Sequence, residues 1–209
     1  RRSNPNLEPE KAKNLELILM HKTQHWLHDI SLYFAKYNEV IREDAINDAK
    51  RESWGIEYRG QFEYDNLILG QEKITGHLFY TYAHTKSNQS YDHEQAQWHM
   101  KSTTLGDISP HKVNLLVNVP ITATVNLNIK ANYLHQTQLY SRNPLTEQDI
   151  EVGSRVIFDT AINYQYALWK FSFKAMNLLD REAFAPGTGQ ANSGNDFSKR
   201  SLGFNNSLS

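Results

Sequence analysis

Apolar and polar residues alternate with a period of two along most of the chain, and this pattern limits the possible fold more than any other feature of the sequence. In residues 124–133, one set of alternate positions is apolar or aromatic and the other set is polar. Successive side chains of a β-strand point to opposite faces, so this segment predicts a ribbon with one apolar and one polar side. The many β-branched and aromatic residues also favour strands.

Nine segments show this alternation, and they predict an all-β, antiparallel, up-and-down fold. They span 14–26, 28–42, 53–65, 74–85, 111–121, 124–135, 154–166, 169–177 and 200–208. Many are longer than the ~5–6 residues usual for strands of globular proteins. Short connections (26–28, 67–73, 120–123, 166–168) alternate with long ones (43–52, 85–110, 136–153, 180–199). Short turns on one edge and long loops on the other are typical of a transmembrane β-barrel, with periplasmic turns and extracellular loops.

The same alternation is compatible with a second architecture, a soluble antiparallel β-sandwich that acts as a binding module. Strand length and loop rhythm favour the barrel. Aromatic residues close to the short turns favour it too, because they suit a membrane interface; they are Trp26, Tyr64, Tyr166 and Trp169. The loop segment 43–52 is rich in alanine and charged residues, which predicts a helical turn there.

Composition excludes several other classes of protein. The 209 residues include 22 Lys+Arg and 23 Asp+Glu, for a net charge of −1, and no cysteine. This charge balance gives no electrostatic basis for nucleic-acid binding, and the lack of cysteine excludes a disulfide-stapled module. No run approaches the ~18 apolar residues of a membrane-spanning helix. The polar average still fits a β-barrel, because only alternate residues of its strands face lipid.

Three short motifs stand at the ends of predicted strands, and together they resemble motifs of TonB-dependent outer-membrane receptors. They run Asn4-Pro5-Asn6-Leu7-Glu8-Pro9-Glu10, Ile108-Ser109-Pro110-His111-Lys112-Val113-Asn114-Leu115 and Asn177-Leu178-Leu179-Asp180-Arg181-Glu182. The second departs from the family pattern in having Pro110 directly before His111. Physically, the matching positions are structural: the prolines keep the chain extended before a strand, and Asn177 and Asp180 suit loop N–H groups where pairing ends.

The resemblance implies a receptor in the outer membrane of a Gram-negative bacterium. Such receptors bind a siderophore, a cobalamin or a glycan outside the cell and import it without catalysis and without a cofactor. By resemblance, residues 1–209 form the C-terminal part of the barrel, without the plug domain. The implied partners are outer-membrane lipid, the plug, the TonB complex that acts through the plug, and a small-molecule ligand such as a ferric chelate. A passive porin-like channel is an alternative function, beside the soluble β-sandwich binding module.

The sequence offers ligand-binding candidates but no catalytic motif. Glu94 and the histidines at 93 and 99 lack the spacing of a zinc helix, so we predict no metal site there. Aromatic, histidine and arginine side chains in long loops suit ferric or anionic ligands; the candidates are Tyr91, Trp98, His99, Tyr140 and Arg142. A solvated loop is the competing interpretation. The polar strand positions are predicted to line the lumen: Glu57, Arg59, Glu63, Lys130, Arg155, Asp159, Lys170 and Lys174.

Overall fold

The computed structural model describes ten stretches of the chain, and every element in them is a β-strand or a turn. The stretches are 5–41, 49–66, 72–88, 90–92, 97–100, 103–104, 109–139, 150–181, 184–186 and 199–201. No helix long and apolar enough to cross a membrane occurs in these stretches.

Eight long strands and seven short ones make up the structure. The long strands are β1 (Lys11–Lys22), β2 (Trp26–Val40), β3 (Ala49–Asp65), β4 (Lys73–Ser87), β8 (His111–Thr122), β9 (Val125–Leu134), β12 (Arg155–Tyr166) and β13 (Trp169–Ala175). The short strands are β5 (Ser90–Asp92), β6 (Gln97–His99), β7 (Thr103–Thr104), β10 (Thr137–Leu139), β11 (Ile150–Val152), β14 (Phe184–Pro186) and β15 (Lys199–Ser201).

The long strands form one antiparallel sheet in the order β1-β2-β3-β4-β8-β9-β12-β13. Each long strand therefore pairs with the next long strand along the chain, and the predicted up-and-down topology is confirmed. Three of the long connections contain a two-stranded hairpin, β5–β6, β10–β11 or β14–β15, and β7 pairs with the end of β4. We call the edge of the sheet that carries these connections the loop edge, and the opposite edge the turn edge.

The turn edge is closed by short, hydrogen-bonded connections. In the first, the Thr23 hydroxyl accepts a bond from the Trp26 N–H at 3.0 Å, while the Thr23 N–H donates to the Trp26 carbonyl at 2.7 Å. These bonds place the turn at residues 23–25, so the prediction of a turn at 26–28 is wrong and Trp26 already belongs to β2. In the last, Ala167 adopts a positive φ of 50° within the two-residue turn between β12 and β13.

The first eight predicted segments are confirmed as strands, with ends that differ by up to four residues. The largest difference concerns the predicted helical turn. Residues 49–52 belong to β3 instead, because they pair with β2 and β4, and the rest of that segment lies outside the described residues. The predicted ninth segment, 200–208, does not join the sheet through its first two residues, which belong to β15 and pair with β14. Its remaining residues lie outside the described stretches.

The register brings the apolar stripes of all eight strands onto one face, which we call the outer face. Leu17, Leu32, Ile56 and Tyr82 face one another across β1 to β4, and Val119, Leu127, Ile162 and Phe173 do so across β8 to β13. This face is uncovered even on strands with neighbours on both sides: Phe34 is 42% and Trp54 is 44% exposed. The only buried hydrophobic residues in the described stretches are Ala35, Val40 and Ala49. Such a face lacks the core of a sandwich and matches the lipid-facing wall of a barrel.

Two glycines mark places where rings lie against the strand backbone. A Cβ on Gly55 would stand 2.1 Å from the Tyr82 carbonyl oxygen and 2.6 Å from the Tyr33 hydroxyl. A Cβ on Gly76 would stand 2.2 Å from the ring of Phe62. Glycine within a strand often marks such a close approach, and here it allows aromatic rings to cover the sheet at these points.

Candidate functional site

The face opposite the outer face, which we call the inner face, holds the charged residues that the sequence predicts for a lumen. On its β1–β4 half, two ion pairs join neighbouring strands. Arg59 Nη2 lies 2.5 Å from Asp29 Oδ2, and Lys73 Nζ lies 2.5 Å from Glu63 Oε1. The Ser31 hydroxyl donates to Glu16 at 2.6 Å. This half of the inner face is therefore a wall of cross-strand polar pairs.

The β8–β13 half of the inner face has a different character, dominated by amides and cations. Six asparagines lie on it: Asn114, Asn118, Asn126, Asn128, Asn132 and Asn163. Their side chains make no hydrogen bond to another residue in the described stretches. Five cationic residues accompany them, Lys112, Lys130, Arg155, Lys170 and Lys174, against the single acidic residue Asp159. These amides and cations make this half a hydrogen-bonding surface for whatever fills the lumen.

The third motif forms a tight turn where β13 ends at the loop edge. Asn177 adopts a positive φ of 50°, and its side chain bonds Arg181 twice, donating to the carbonyl at 2.9 Å and accepting from the N–H at 3.1 Å. The Asn177 N–H donates to Asp159 Oδ1 at 2.9 Å. Asparagine tolerates the left-handed conformation and satisfies local backbone groups, which explains why it suits this position.

The other two motifs occupy the starts of β1 and β8. Pro5 and Asn6 lie in a turn, so the predicted extended chain does not begin at Pro5; residues 7–10 lead into β1, and Glu10 accepts a bond from the Ile41 N–H at 2.7 Å. Asn4 lies outside the described residues. At the start of β8, the Pro110 carbonyl accepts from the Ala83 N–H at 3.0 Å, and the Tyr80 hydroxyl lies 3.0 Å from Nδ1 of His111. Leu7, Pro9, Lys112, Leu178 and Asp180 take part in the same extended or turning segments.

Three of the five predicted ligand-binding residues belong to described stretches at the loop edge. Tyr91 and Trp98 occupy paired backbone positions in the β5–β6 hairpin, and His99 ends β6 in a half-buried position. Tyr140 and Arg142 lie outside the described residues, in the segment whose two ends are paired as β10 and β11. His93 and Glu94 also lie outside the described residues. Within the described stretches, no cluster of three or more acidic or histidine side chains could hold a metal ion.

Two aromatic bands bracket the apolar part of the outer face. At the turn edge, Trp26 Nε1 donates to the Tyr64 hydroxyl at 2.8 Å and its ring packs on His28 and Phe62. At the loop edge, Trp54 packs against Tyr82 and His84, with ring centroids 5.3 Å apart in each pair.

The second of these bands was not predicted from the sequence; Trp54 comes to lie beside Tyr82 and His84 through the register of β3 and β4. Ten residues separate Trp54 from Tyr64, about 33 Å along a strand and about 25 Å along the barrel axis at a tilt of ~40°. That height matches the apolar band of an outer-membrane barrel.

A family model described as TonB dependent receptor-like, beta-barrel matches residues 1–178. The chain therefore belongs to the TonB-dependent receptor β-barrel family, as the three motifs indicate. Comparison with curated protein sequences finds no match.

Two solved structures show the same fold. The ferric yersiniabactin uptake receptor FyuA from Yersinia pestis matches with a TM-score of 0.65 and 14% identity, covering 91% of this chain and 27% of the receptor. The ferric-catecholate import receptor Fiu from E. coli K12 matches with a TM-score of 0.71 and 14% identity, covering 94% of this chain and 26% of the receptor. The chain thus spans about a quarter of the length of either receptor.

Proposed function

We propose that residues 1–209 form the C-terminal part of the barrel of a TonB-dependent outer-membrane receptor, which imports a scarce solute into a Gram-negative bacterium. The observation that carries this proposal is the single sheet of eight up-and-down strands, with one exposed apolar face and one polar face. A barrel wall needs both faces, because lipid contacts one and a hydrated interior contacts the other. The match to the family over residues 1–178 supports the same assignment.

For the solute, we propose a ferric siderophore rather than a cobalamin or a glycan. Two receptors of the same fold are the ferric yersiniabactin uptake receptor FyuA and the ferric-catecholate import receptor Fiu. The loop edge of this chain supplies Tyr91, Trp98 and His99, and the next long loop supplies Tyr140 and Arg142. Aromatic faces and an arginine fork suit the planar, anionic groups that surround chelated iron.

The proposed transport cycle involves no covalent chemistry. The loops capture the ligand at the loop edge, and a plug domain fills the lumen against the inner face. Ligand binding shifts the populations of the plug and loop conformations, and the TonB complex then supplies the energy for release inward. In this scheme the amides and lysines on the β8–β13 half of the inner face exchange hydrogen bonds with the plug or with water.

Uptake in intact cells tests this proposal. Cells with the receptor gene deleted, and cells carrying it on a plasmid, are compared for accumulation of radioactive iron presented on a panel of siderophores and for accumulation of labelled cobalamin. We expect one class of ferric siderophore to enter only when both the receptor and TonB are present. Cobalamin uptake without siderophore uptake would show that the transported solute is a cobalamin and not a ferric siderophore.

The same cells separate the alternatives. Uptake that persists without TonB, or in the presence of a protonophore, indicates a passive porin-like channel. Density-gradient fractionation locates the receptor, and recovery in a soluble fraction without detergent would indicate a β-sandwich binding module. We expect the receptor in the outer-membrane fraction, since its apolar outer face needs lipid or detergent.

A further inference from the structure

Two histidines face each other at the loop edge of the outer face, on neighbouring strands. His111 is the first residue of β8, and His135 directly follows the last residue of β9. The His135 N–H donates to the His111 carbonyl at 2.9 Å, which extends the β8–β9 ladder by one step. Each histidine is two positions from an outer-face residue, Val113 or Tyr133, so both side chains lie on the outer face. We call these two residues the histidine pair.

The backbone beneath the histidine pair is held in place by a buried serine. The Ser109 hydroxyl lies 2.8 Å from the carbonyl oxygen of His135 and 3.0 Å from the carbonyl oxygen of His111. One hydroxyl therefore bridges the end of β9 and the start of β8. Together with the ladder bond between the two histidines, this bridge fixes the spacing of the two backbones from which the imidazole rings project.

A tyrosine hydroxyl contacts one nitrogen of each ring. The Tyr80 hydroxyl lies 3.0 Å from Nδ1 of His111, and the Tyr133 hydroxyl lies 3.0 Å from Nδ1 of His135. A histidine that donates its Nδ1 proton to an oxygen keeps a lone pair on Nε2, and proteins orient metal-binding histidines in this way. Both rings of the histidine pair therefore have a partner that prepares Nε2 to act as a ligand.

The separation of the two rings is that of two imidazoles bound to one metal ion. The ring centroids of His111 and His135 lie 5.4 Å apart, and the ring planes are 84° from each other. Two imidazoles on one tetrahedral ion, each with a metal–nitrogen distance of roughly 2.0–2.1 Å, have their centroids about 5.2 Å apart. Both rings are half-buried, so an ion from solvent can reach them. The pair therefore needs little rearrangement to hold an ion.

A second pair of facing histidines, at the turn edge of the outer face, has a different geometry. The rings of His21 and His28 are stacked, with centroids 6.0 Å apart and planes only 15° from each other. Stacked rings direct their nitrogen lone pairs side by side and not towards a common ion. The indole of Trp26 also stacks on His28, at 5.5 Å. Facing positions alone thus do not produce the arrangement of the histidine pair, and the turn-edge histidines serve as its matched control.

We propose that the histidine pair binds one divalent transition-metal ion of the class of Cu²⁺ and Zn²⁺. Imidazole nitrogen is a preferred ligand of these ions, and water takes the coordination positions that the two histidines leave open. The described stretches hold no group of three histidine or acidic side chains that could bind a metal, so the ion has two protein ligands and exchanges with solvent. This inference goes beyond the proposed function, because it depends on the register of β8 and β9 and not on the transported solute.

Binding of Cu²⁺ to the full-length receptor, purified in detergent and stripped of metal with a chelator, tests the proposal. Cu²⁺ is the probe because its electron paramagnetic resonance spectrum reports the nitrogen atoms that coordinate it. We expect His111→Gln/His135→Gln to bind one equivalent of Cu²⁺ fewer than the wild-type receptor and to lose the signal of an ion with two nitrogen ligands. The matched control His21→Gln/His28→Gln is expected to keep both the equivalent and the signal.

A milder variant separates coordination from folding. Tyr133→Phe keeps both histidines and removes only the hydroxyl beside Nδ1 of His135, so we expect about tenfold weaker Cu²⁺ binding, a usual effect of losing such a partner. Heat-modifiable migration on gels confirms that each variant is assembled. The proposal is overturned if the assembled double variant binds Cu²⁺ as the wild type does, if the turn-edge control loses binding equally, or if Tyr133→Phe has no effect.

Discussion

The carboxylate of Asp159 accepts a hydrogen bond from the backbone N–H of Asn177 at 2.9 Å, which ties the turn after β13 to the inner face of β12. The other carboxylate oxygen of Asp159 lies 3.9 Å from Lys130 Nζ on β9. One side chain thus joins three strands at the point where the sheet gives way to a long loop. The turn and the charged wall are coupled through it.

Replacing Asp159 tests this coupling. We expect Asp159→Ala to lower the free energy of unfolding by about 1–2 kcal/mol, because it leaves the Asn177 N–H without its acceptor. Asp159→Asn keeps an amide oxygen and should cost less than half as much. Chemical unfolding of the receptor in detergent measures both, with Asn163→Ala on the same strand and face as the control. Equal costs for the alanine and asparagine variants would contradict the coupling.

The conformation of Asn177 leads to a second prediction. Asn177→Gly loses the two side-chain bonds to Arg181 but keeps access to the observed φ of 50°. Asn177→Ala loses the same bonds and adds strain, so we expect it to be less stable than the glycine variant by about 1 kcal/mol. Thermal unfolding in detergent gives the comparison. An alanine variant as stable as the glycine variant would show that the turn relaxes to another conformation.

Gly55 gives a third prediction, based on space within the sheet. A Cβ there meets the backbone oxygen of Tyr82 at 2.1 Å, and a backbone atom of a paired strand cannot move aside cheaply. We expect Gly55→Ala to reduce the yield of assembled receptor severalfold. Gly153→Ala is the matched control, because nothing lies within 4 Å of a Cβ at that position. Heat-modifiable migration on gels reports assembled barrels, and normal assembly of the Gly55 variant would refute this packing argument.

The ligand assignment gives a fourth prediction. We expect Trp98→Ala to weaken ferric-siderophore binding about tenfold, the effect of removing one well-placed aromatic anchor. Met100→Ala removes another apolar side chain from the same loop, 72% exposed, and should leave affinity unchanged. Equilibrium binding of the purified receptor measures both variants. Unchanged ligand affinity in the Trp98 variant would show that this hairpin does not contribute to ligand binding.

The Arg59–Asp29 pair gives a fifth prediction through a double-mutant cycle. The two side chains are 62% and 18% exposed, so solvent screens the interaction in part. We expect a coupling energy of about 0.5–1 kcal/mol between Arg59→Gln and Asp29→Asn at low salt, falling as salt is added. The corresponding cycle for Lys130 and Asp159, whose atoms lie 3.9 Å apart, should give a smaller value. A larger coupling for the second pair would reverse the ranking that the distances imply.

The alternation of side chains was enough to predict the eight wall strands, because a period of two depends on the backbone of each strand alone. Their exact ends depended on local bonds that alternation does not encode. At residues 23–25, the Thr23 hydroxyl and the Trp26 N–H decide where the turn falls. At residues 49–52, pairing with β2 and β4 overrides the helical propensity of an alanine-rich segment.

Features that depend on the alignment of several strands could not be predicted from the sequence. Lys13, Lys36 and Lys86 lie in one row across the sheet only through the register, and their separations of 23 and 50 residues give no indication of that alignment. The hairpins at the loop edge have strands of three residues, too short for alternation to be recognised. The family motifs indicated the class of protein but not these surfaces, because the motifs mark strand ends.

β1 differs from its neighbours in a way that bears on how the wall assembles. It carries Leu15, Leu17 and Leu19 on the outer face but also Ile18 and Met20 on the inner face. If β1 paired with β2 one residue out of register, apolar side chains would still occupy the outer face over half of the strand. Hydrophobicity alone therefore discriminates weakly between the two registers. Fidelity must come from polar anchors such as the Ser31–Glu16 bond, which only one alignment can form. The correct pairing of β1 with β2 therefore depends on a few specific hydrogen bonds.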